Sequence, residues 1–270
     1  MIELFDTDRF EIGRASSQGN QLKWKAGDYW YKADSTGYEG LAEYVISHML
    51  TYSDLEKEEY VLYGLETIRY KNKVMNGCKS QNFLNDGEML ITLERLYHNH
   101  TGRSFYSDVY LIKDHVERLK YIVDRTEEMS GIKDFGIYMS KILTIDTVFL
   151  NEDRHLHNIA VIRKRNGDYR LCPVFDCGAG LLSDTDMDYP PDTDIYEAMR
   201  NEVKAKTFTE DFDEQLEIAE KIYGSHIHIN AGRKEAEAII TAAEMYDEAT
   251  RKRVIDIVVS RIAKFGYLFC

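Results

Sequence analysis

The stretch that covers residues 146–184 constrains the fold of this chain more than any other part of the sequence. Within it, Asp153 and Asn158 stand five positions apart in the segment DRHLHN. The apolar run Ile159–Ile162 follows directly and predicts a buried strand. A polar turn then reverses the chain at Asn166-Gly167, a dipeptide that is typical of tight β-hairpins. The sequence therefore predicts a polar loop that leads into a hairpin.

The return strand of this hairpin carries a further acidic position. The predicted strand is Tyr169–Phe175, Asp176 stands at its end, and Cys177 and Gly178 follow. The two strands of a hairpin run antiparallel, so the residues that flank its open end are neighbours. We therefore expect Asn158 and Asp176 to lie at the same end of the two strands.

Phosphoryl transfer requires such an arrangement. The spacing of Asp153 and Asn158 is that of the protein-kinase catalytic loop, and Asp176 stands where a kinase keeps its metal-binding Asp-x-Gly aspartate. Because the transition state is highly charged, the protein mainly positions the reactants and neutralises phosphate oxygens with magnesium. Asp153 is therefore predicted to accept the proton of the attacking hydroxyl. Asn158 and Asp176 are predicted to supply hard oxygen ligands to the metal. The alternative is a polar loop and a hairpin with solvated acids.

Length, charge and cysteine content limit the class of protein. The 270 residues, of which 44% are hydrophobic, are enough for one large or two small domains. A net charge of −13 argues against a general nucleic-acid binder and against a protein held on anionic membranes by its overall charge. No apolar run reaches transmembrane length and the N-terminus is no signal peptide, so we expect a cytoplasmic protein. The four cysteines have no disulfide or zinc spacing and are expected to be reduced thiols.

The periodicity of the remaining sequence predicts an α+β fold, whose order of elements resembles that of a two-lobed protein-kinase-like fold. Residues 1–83 are predicted to form an N-terminal lobe with an antiparallel sheet and one helix, and residues 84–270 a mainly helical C-terminal lobe. In the first lobe, strands are predicted at 2–5, 10–13, 22–24, 29–32, 60–63, 66–70 and 74–80, and a helix at 38–50. In the second lobe, helices are predicted at 88–98, 107–125, 134–150, 210–224, 230–246 and 248–265.

A loop of small and polar residues, 14–20, lies between the second and third predicted strands. It contains Ser16, Ser17 and Gly19. Such residues let the backbone approach closely, so that its N–H groups can wrap phosphates. The loop is therefore a candidate phosphate-binding segment, and a plain surface turn is the alternative.

Lys32 ends a predicted strand and is followed by the predicted helix 38–50. In a kinase, a strand lysine contacts the ATP phosphates and is held by a glutamate of the next helix. Glu39 and Glu43 are both in that order, one turn apart, and Glu43 is favoured because it lies deeper in the helix. The alternative is that both glutamates are solvated.

Taken together, these motifs make the chain resemble the HipA-type serine/threonine kinases, the catalytic part of bacterial toxin–antitoxin systems. The likeness is carried by RASSQGNQLK (14–23), YKADSTGYEGLAEYVISHML (31–50), LNEDRHLHNIAVI (150–162) and PVFDCGAGLL (173–182). The chain begins almost at the kinase core. We therefore expect it to lack the extra N-terminal subdomain of full-length HipA proteins and to represent a compact branch.

The resemblance implies ATP and Mg²⁺ as cofactors, with Asp153 as catalytic base, Asn158 and Asp176 as metal ligands, and Lys32 on the phosphates. It also implies that a serine of the loop can be autophosphorylated, which blocks ATP binding, and the matching position is Ser16. His155, in the catalytic loop, is a further candidate nucleotide-binding residue. A protein acceptor is implied, together with an antitoxin or other regulatory partner. Neither a membrane nor direct nucleic-acid binding is expected.

Two other functions are compatible with the motifs. The segment DRHxxNI is shared with the phosphoinositide kinases, which makes a lipid or small-molecule acceptor an alternative. The stretch 183–194 contains five aspartates and no Lys or Arg, which favours a protein acceptor or a positively charged one over an anionic headgroup. The second alternative is a pseudokinase that only binds nucleotide. It is disfavoured because Lys32, Asp153, Asn158 and Asp176 are all present.

Overall fold

The computed structural model describes residues 1–9 and 21–269. The strands are β1 (Ile2–Leu4), β2 (Lys23–Ala26), β3 (Tyr29–Ala33), β4 (Tyr63–Tyr70), β5 (Lys73–Gln81), β6 (Met89–Thr92), β7 (Ala160–Arg163) and β8 (Tyr169–Leu171). The helices are α1 (Glu39–Leu50), α2 (Leu93–Thr101), α3 (Phe105–Leu111), α4 (His115–Ser130), α5 (Phe135–Phe149), α6 (Ile195–Asn201), α7 (Phe212–Tyr223), α8 (Arg233–Thr241) and α9 (Glu248–Lys264). None of the helices in this part of the chain combines the length and the apolar character that a membrane crossing needs.

The chain folds into two compact units. The first consists of Met1–Asn82, Asp176–Val203 and His228–Cys270, and the second of Phe83–Phe175 and Lys204–Ile227. One break between the units lies next to residue 83, where the N-terminal lobe is predicted to end. The segments 176–203 and 228–270, however, group with the N-terminal residues. The division into lobes 1–83 and 84–270 stays a prediction.

The first unit is built on a mixed sheet. Among its described residues, five strands follow the order β1-β4-β5-β3-β2. Neighbouring strands are antiparallel except β1, which runs parallel to β4. The expectation of a purely antiparallel sheet is therefore wrong at this edge. A parallel pair needs a long connection rather than a tight turn, and here β2, β3 and α1 all lie between β1 and β4 in the chain.

Apolar side chains and Lys32 alternate along β3 and therefore lie on opposite faces of the sheet. Tyr31 and Ala33 belong to a buried apolar cluster with Trp24 and Ile68. Because successive side chains of a strand point to opposite faces, Lys32 lies on the other face, where α1 packs. The hydrophobic pattern thus fixes the side of the sheet on which Lys32 lies.

The second unit contains an antiparallel sheet in the order β6-β7-β8, together with the helices α2, α3, α4, α5 and α7. Nearly every side chain of α5 is buried. At its start, a Cβ atom added to Gly136 would lie 2.4 Å from the Tyr223 ring of α7, so only glycine permits this close packing. Helix α5 ends at Phe149 and leads directly into the loop DRHLHN.

Most predicted elements are present in the described residues, with several differences, and the predicted strand 10–13 lies outside those residues. Strand β4 covers the predicted strand 66–70 and only the last residue of the predicted strand 60–63, and the predicted helix 107–125 is divided into α3 and α4. The helix predicted at 230–246 is the shorter α8, and α6 was not predicted. The predicted helix 88–98 begins instead with β6, whose backbone pairs with β7. A short apolar run is ambiguous between helix and strand, and here the tertiary pairing decides. Cys78, Cys172 and Cys177 are buried thiols.

Candidate active site

Lys32 lies on β3, between β2 and β5. The strand register places it opposite Lys23 of β2 and Cys78 of β5. Residues that are directly opposite on antiparallel strands have side chains on the same face of the sheet, and like charges in such a pair repel. Lys23 and Lys32 therefore need a shared anionic partner.

Helix α1 comes close to this face because Gly40 leaves room for it. A Cβ atom added to Gly40 would lie 2.7 Å from the carbonyl carbon of Gly77 in β5. Within the sheet, a Cβ atom added to Gly77 would lie 2.1 Å from the carbonyl oxygen of Lys32, so this glycine lets β5 lie close to β3. The approach of α1 at Gly40 brings Glu43, one turn later, to the strand. The Nζ atom of Lys32 lies 2.5 Å from Oε1 of Glu43.

The other candidate glutamate, Glu39, has a different set of contacts. It accepts hydrogen bonds from the backbone N–H groups of Ser35 and Thr36, at 3.2 and 2.8 Å. Glu39 thus stabilises the turn that begins α1. Of the two glutamates that the sequence offers, Glu43 is the one that pairs with Lys32.

Asp176 is the shared anionic partner of the two lysines. Lys32 Nζ lies 2.7 Å from Oδ1 of Asp176, and Lys23 Nζ lies 3.2 Å from Oδ2. The next residue, Cys177, donates its backbone N–H to Oε2 of Glu43 at 3.0 Å. Glu43 therefore binds both Lys32 and the backbone that follows Asp176.

The Gly of the Asp-x-Gly segment lies next to α1. A Cβ atom at Gly178 would lie 3.4 Å from Cβ of Glu39 and 3.5 Å from Cγ of Glu43. These distances show that the chain after Asp176 packs directly on α1. Asp176 itself has a φ angle of 59°, a conformation that is uncommon for a residue with a side chain. The strand, the helix and this turn together fix the carboxylate of Asp176.

Opposite charges dominate the electrostatics of this cluster. Burial lowers the pKa of Lys32, but the charges of Asp176 and Glu43 outweigh burial and raise that pKa well above its usual value. Burial raises the pKa of Asp176, but the charges of Lys23 and Lys32 outweigh it and lower that pKa well below the usual value. Lys32 and Asp176 are therefore both ionised at neutral pH.

The loop DRHLHN of the second unit holds Asp153 and Asn158 in one compact turn. Backbone N–H groups donate from His155 to the carbonyl oxygen of Asp153 at 2.9 Å, and from Asn158 to that of His155 at 2.8 Å. The Asn158 amide nitrogen also donates to the carbonyl oxygen of Asp153, at 2.9 Å. The side chain of Asp153 is largely buried, with Nε2 of His155 3.6 Å from its Oδ2 atom. His155 thus lies against the candidate base.

The buried side chain of Arg154 fixes the backbone of this loop. Its buried guanidinium donates to both carboxylate oxygens of Asp146, at 2.8 and 2.9 Å. A third nitrogen donates to the carbonyl oxygens of Asn158 and Phe175, at 2.9 and 2.8 Å. Phe175 immediately precedes Asp176 in the sequence. One buried arginine therefore fixes the backbone at Asn158 and at the residue before Asp176.

Each candidate metal ligand, taken by itself, offers an oxygen donor of the kind that a hard divalent cation binds. Asp176 offers an ionised carboxylate, and Asn158 retains its amide oxygen because its amide nitrogen is used within the loop. Oxygen donors of this kind suit magnesium, which protein sites commonly bind through one or two side chains and the phosphates of the substrate. Within residues 1–9 and 21–269, no three His, Cys, Asp or Glu side chains cluster as a metal site of their own.

The sequence motifs identify only part of this arrangement. Ser16, Ser17 and Gly19 lie outside the described residues, so their predicted contact with phosphates stays a prediction. Sequence reasoning missed Lys23, which pairs with Asp176 in the first unit, and Arg154, which fixes the catalytic loop in the second. It also missed Lys206, whose Nζ atom lies 3.6 Å from Oδ1 of Asp153. The strand register could have identified Lys23, since Lys23 is opposite Lys32 in the β2–β3 hairpin.

Comparison with known proteins places the fold. No model of a known protein family matches the chain, and no curated protein matches its sequence. Among solved structures, the proinflammatory kinase CtkA of Helicobacter pylori is similar with a TM-score of 0.61 and 16% identity, over 99% of this chain and 95% of that chain. HipA of Shewanella oneidensis, in its complex with HipB and operator DNA, gives a TM-score of 0.47 and 13% identity, over 97% of this chain and 66% of that chain. The α+β kinase-like architecture that the motifs predict is confirmed: the chain has a fold similar to that of the kinase CtkA.

Proposed function

We propose that this protein is an ATP- and Mg²⁺-dependent phosphotransferase, a HipA-like serine/threonine protein kinase. The observation that carries the proposal is the position of Lys32, a buried lysine held between Glu43 and Asp176. A fixed cation of this kind is what phosphate binding in a kinase requires. The similarity of the fold to CtkA, a kinase, supports the same function.

In this proposal each residue has one task. Lys32 binds the phosphates of ATP, with Lys23 as a second cation on the same face of the sheet. Asp153 accepts the proton of the acceptor hydroxyl while the acceptor oxygen forms its bond to the γ-phosphorus. The bond from that phosphorus to the bridging oxygen then breaks, and ADP leaves. Asn158 and Asp176 would hold magnesium, which would supply charge neutralisation on the phosphates.

The acidic segment 183–194 supports a protein acceptor with positive charge. Two of its five aspartates have structural contacts: Asp184 accepts from the backbone N–H of Met187, and Asp194 caps α6. Asp186, Asp188 and Asp192 are exposed. Their charge would attract a basic peptide and repel an anionic lipid headgroup.

Regulation belongs to the same proposal. Autophosphorylation at Ser16, or at the neighbouring Ser17, would add about −1.5 to −2 charges to the candidate phosphate-binding loop and weaken ATP binding. The resemblance to HipA-type kinases extends the proposal to an antitoxin or another regulatory partner protein. Phosphopeptide mapping after incubation with ATP, and affinity isolation of the tagged chain, address these two points.

Transfer of label from ATP tests the function. Purified protein is incubated with γ-labelled ATP, Mg²⁺ and a cell lysate, beside an Asp153→Asn variant. A variant of the exposed Asp124 in α4, Asp124→Asn, is the matched control. We expect label on proteins with the wild type and the control, and a rate lower by about 10²–10⁴ with Asp153→Asn. Binding of a fluorescent ATP analogue should be nearly unchanged in that variant, because the proposed role of Asp153 is to accept the proton of the acceptor hydroxyl.

Three results would contradict parts of this proposal. Normal labelling by Asp153→Asn would remove Asp153 from the mechanism. Label that appears in the lipid fraction alone would indicate a lipid kinase. Magnesium-dependent binding of ATP by the wild type, without turnover on any acceptor, would indicate a nucleotide-binding module.

A further inference from the structure

Lys206 is a charged side chain that reaches the carboxylate of Asp153. Its Nζ atom lies 3.6 Å from Oδ1, while Nε2 of His155 lies 3.6 Å from Oδ2. Both distances are within ion-pair range but too long for a strong hydrogen bond. Lys206 and His155 therefore lie next to different oxygen atoms of the Asp153 carboxylate.

The segment that carries Lys206 is anchored to the catalytic loop. The backbone N–H of Lys204 donates to Oε1 of Glu152, the residue before Asp153, at 3.0 Å. On the other side of Lys206, the guanidinium of Arg118 donates to the carbonyl oxygen of Thr207 at 3.2 Å and to that of Phe208 at 2.9 Å. The backbone is therefore fixed both before and after Lys206.

The conformation of this segment is also constrained from within. Thr207 has a φ angle of 76°, which is unusual for a β-branched residue. Such a conformation persists only where the surrounding structure imposes it, and it is often found at functional sites. Ala205 and Thr207 are buried, whereas the Lys206 side chain between them is 37% exposed. The fold thus presents a lysine, from a position far along the chain, at the candidate base.

We propose that Lys206 is a positioning residue for phosphoryl transfer, which holds the Asp153 carboxylate in the orientation that receives the proton of the acceptor hydroxyl. This inference rests on the proposed phosphotransferase function. The carboxylate could otherwise rotate about its side-chain torsions. The ion pair to Oδ1 favours one rotamer, and a base misplaced by about 1 Å can lose about a hundredfold in rate.

Three variants of the full chain test this role. Lys206→Met removes the charge, Lys206→Arg retains it, and Lys204→Met removes a neighbouring lysine whose side chain pairs with Glu210. ADP formation is measured at varied ATP concentration with the lysate proteins as acceptors, and affinity is measured with a fluorescent ATP analogue.

We expect Lys206→Met to lower kcat by about ten- to a hundredfold. KM for ATP and the affinity for the analogue should change less than about twofold. Lys206→Arg should recover most of the rate, and Lys204→Met should behave as wild type.

A double-mutant cycle with Asp153→Asn shows whether Lys206 acts through Asp153. If it does, Lys206→Met has no further effect on the residual rate of the Asp153→Asn variant. An equal loss of rate in both backgrounds overturns the proposal, as does wild-type kcat in Lys206→Met. Weaker binding of the ATP analogue as the main effect overturns it too, because Lys206 would then contact the nucleotide. Absence of ADP formation by the wild type would instead contradict the proposed function itself.

Discussion

At the scale of single residues, the charges around Lys32 balance one another. Lys23 and Lys32 contribute two positive charges, and Glu43 and Asp176 contribute two negative ones. A buried ion pair is a weak source of net stability, but the removal of one partner leaves the other charge buried and uncompensated. The cluster should therefore be sensitive to any change in its charge.

We expect Lys32→Met to destabilise the protein by about 3–5 kcal/mol and to remove ATP binding. The loss of stability arises because the carboxylates of Glu43 and Asp176 would then have Lys23 as the remaining cation in this cluster. Urea unfolding measures the stability, and a fluorescent ATP analogue measures the binding. The control is Lys79→Met, which breaks a more exposed pair with Glu66 and should cost less than about 1 kcal/mol. Similar losses of stability in both variants would show that the Lys32 cluster is no more sensitive to the removal of a charge than an exposed ion pair.

The sequence predicts the residues of the site that lie in local motifs, and misses those that reach it through tertiary structure. Asp153, Asn158 and Asp176 are recognisable because a loop and a hairpin fix their spacing. Lys23 could have been predicted, because the two-residue turn between β2 and β3 sets the register that places it opposite Lys32. Lys206 has no such local signal. Its contact with Asp153 depends on how the segment after α6 is anchored, which the pattern of residues does not reveal.

At the scale of elements, the close contact of α1 with the sheet positions Glu43. The predicted helix 38–50 and the observed α1 agree closely, because a continuous apolar stripe identifies the helix. The distance between the helix and the sheet was not predictable from that stripe. It depends on Gly40, which meets the backbone of Gly77 on a different element only in the folded chain.

Gly77→Ala should therefore destabilise the protein by about 1–3 kcal/mol, the usual cost of overpacking. The added Cβ atom would lie 2.1 Å from the carbonyl oxygen of Lys32, so that β3 or β5 must shift. Gly64→Ala in β4 is the matched control, because the nearest atom to its Cβ is 3.8 Å away, on the Lys79 side chain. This control should be neutral or stabilising by about 0.4–1 kcal/mol. Equal destabilisation of the two variants in urea would exclude close packing as the cause.

Other elements were mispredicted because local propensity does not decide them. The residues of β6 continue directly into α2, and the apolar pattern alone does not separate the two. The structure separates them by the pairing of β6 with β7 and by the side chain of Thr92, which accepts a hydrogen bond from Arg95 at the start of α2. Similarly, Asp114 caps α4 and thereby divides the helix predicted at 107–125.

At the scale of the whole molecule, the first unit combines residues from both ends of the chain. Asn76 of β5 donates to the carbonyl oxygen of Met245 at 3.0 Å, and the Tyr246 hydroxyl donates to Oδ2 of Asp34 at 2.8 Å. Asp34 follows β3 directly, and its Oδ1 atom accepts the backbone N–H of Gly40. One carboxylate thus joins the end of β3, the start of α1 and the segment before α9. The sequence offered no sign of this junction, since each of its residues is unremarkable in its own stretch.

The ionisation of Asp34 should make the stability of this junction depend on pH. Burial raises the pKa of Asp34 to about 7, with a smaller contribution from the charge of Glu39, while the hydrogen bonds from Gly40 and Tyr246 act in the opposite direction. The folded protein then holds a proton that the unfolded chain releases near pH 4. Stability from this group is complete below about pH 4 and is lost as pH rises through about 7.

We therefore expect the free energy of unfolding of the wild type to fall between pH 5 and 8 relative to that of an Asp34→Asn variant. The relative loss should be at most about 1.4 kcal/mol per pH unit, because one proton is involved. An asparagine has no charge at either pH and still offers an oxygen to one of the two donors. Urea unfolding of both proteins at pH 5, 6, 7 and 8 gives the difference directly, with Asp28→Asn in the exposed β2–β3 turn as the control. If the free energies of unfolding of the wild type and of Asp34→Asn change in parallel with pH over this range, Asp34 is already ionised in the folded protein at pH 5. The junction between β3, α1 and the segment before α9 would then depend on a buried charge that accepts two hydrogen bonds, rather than on a protonated carboxyl group.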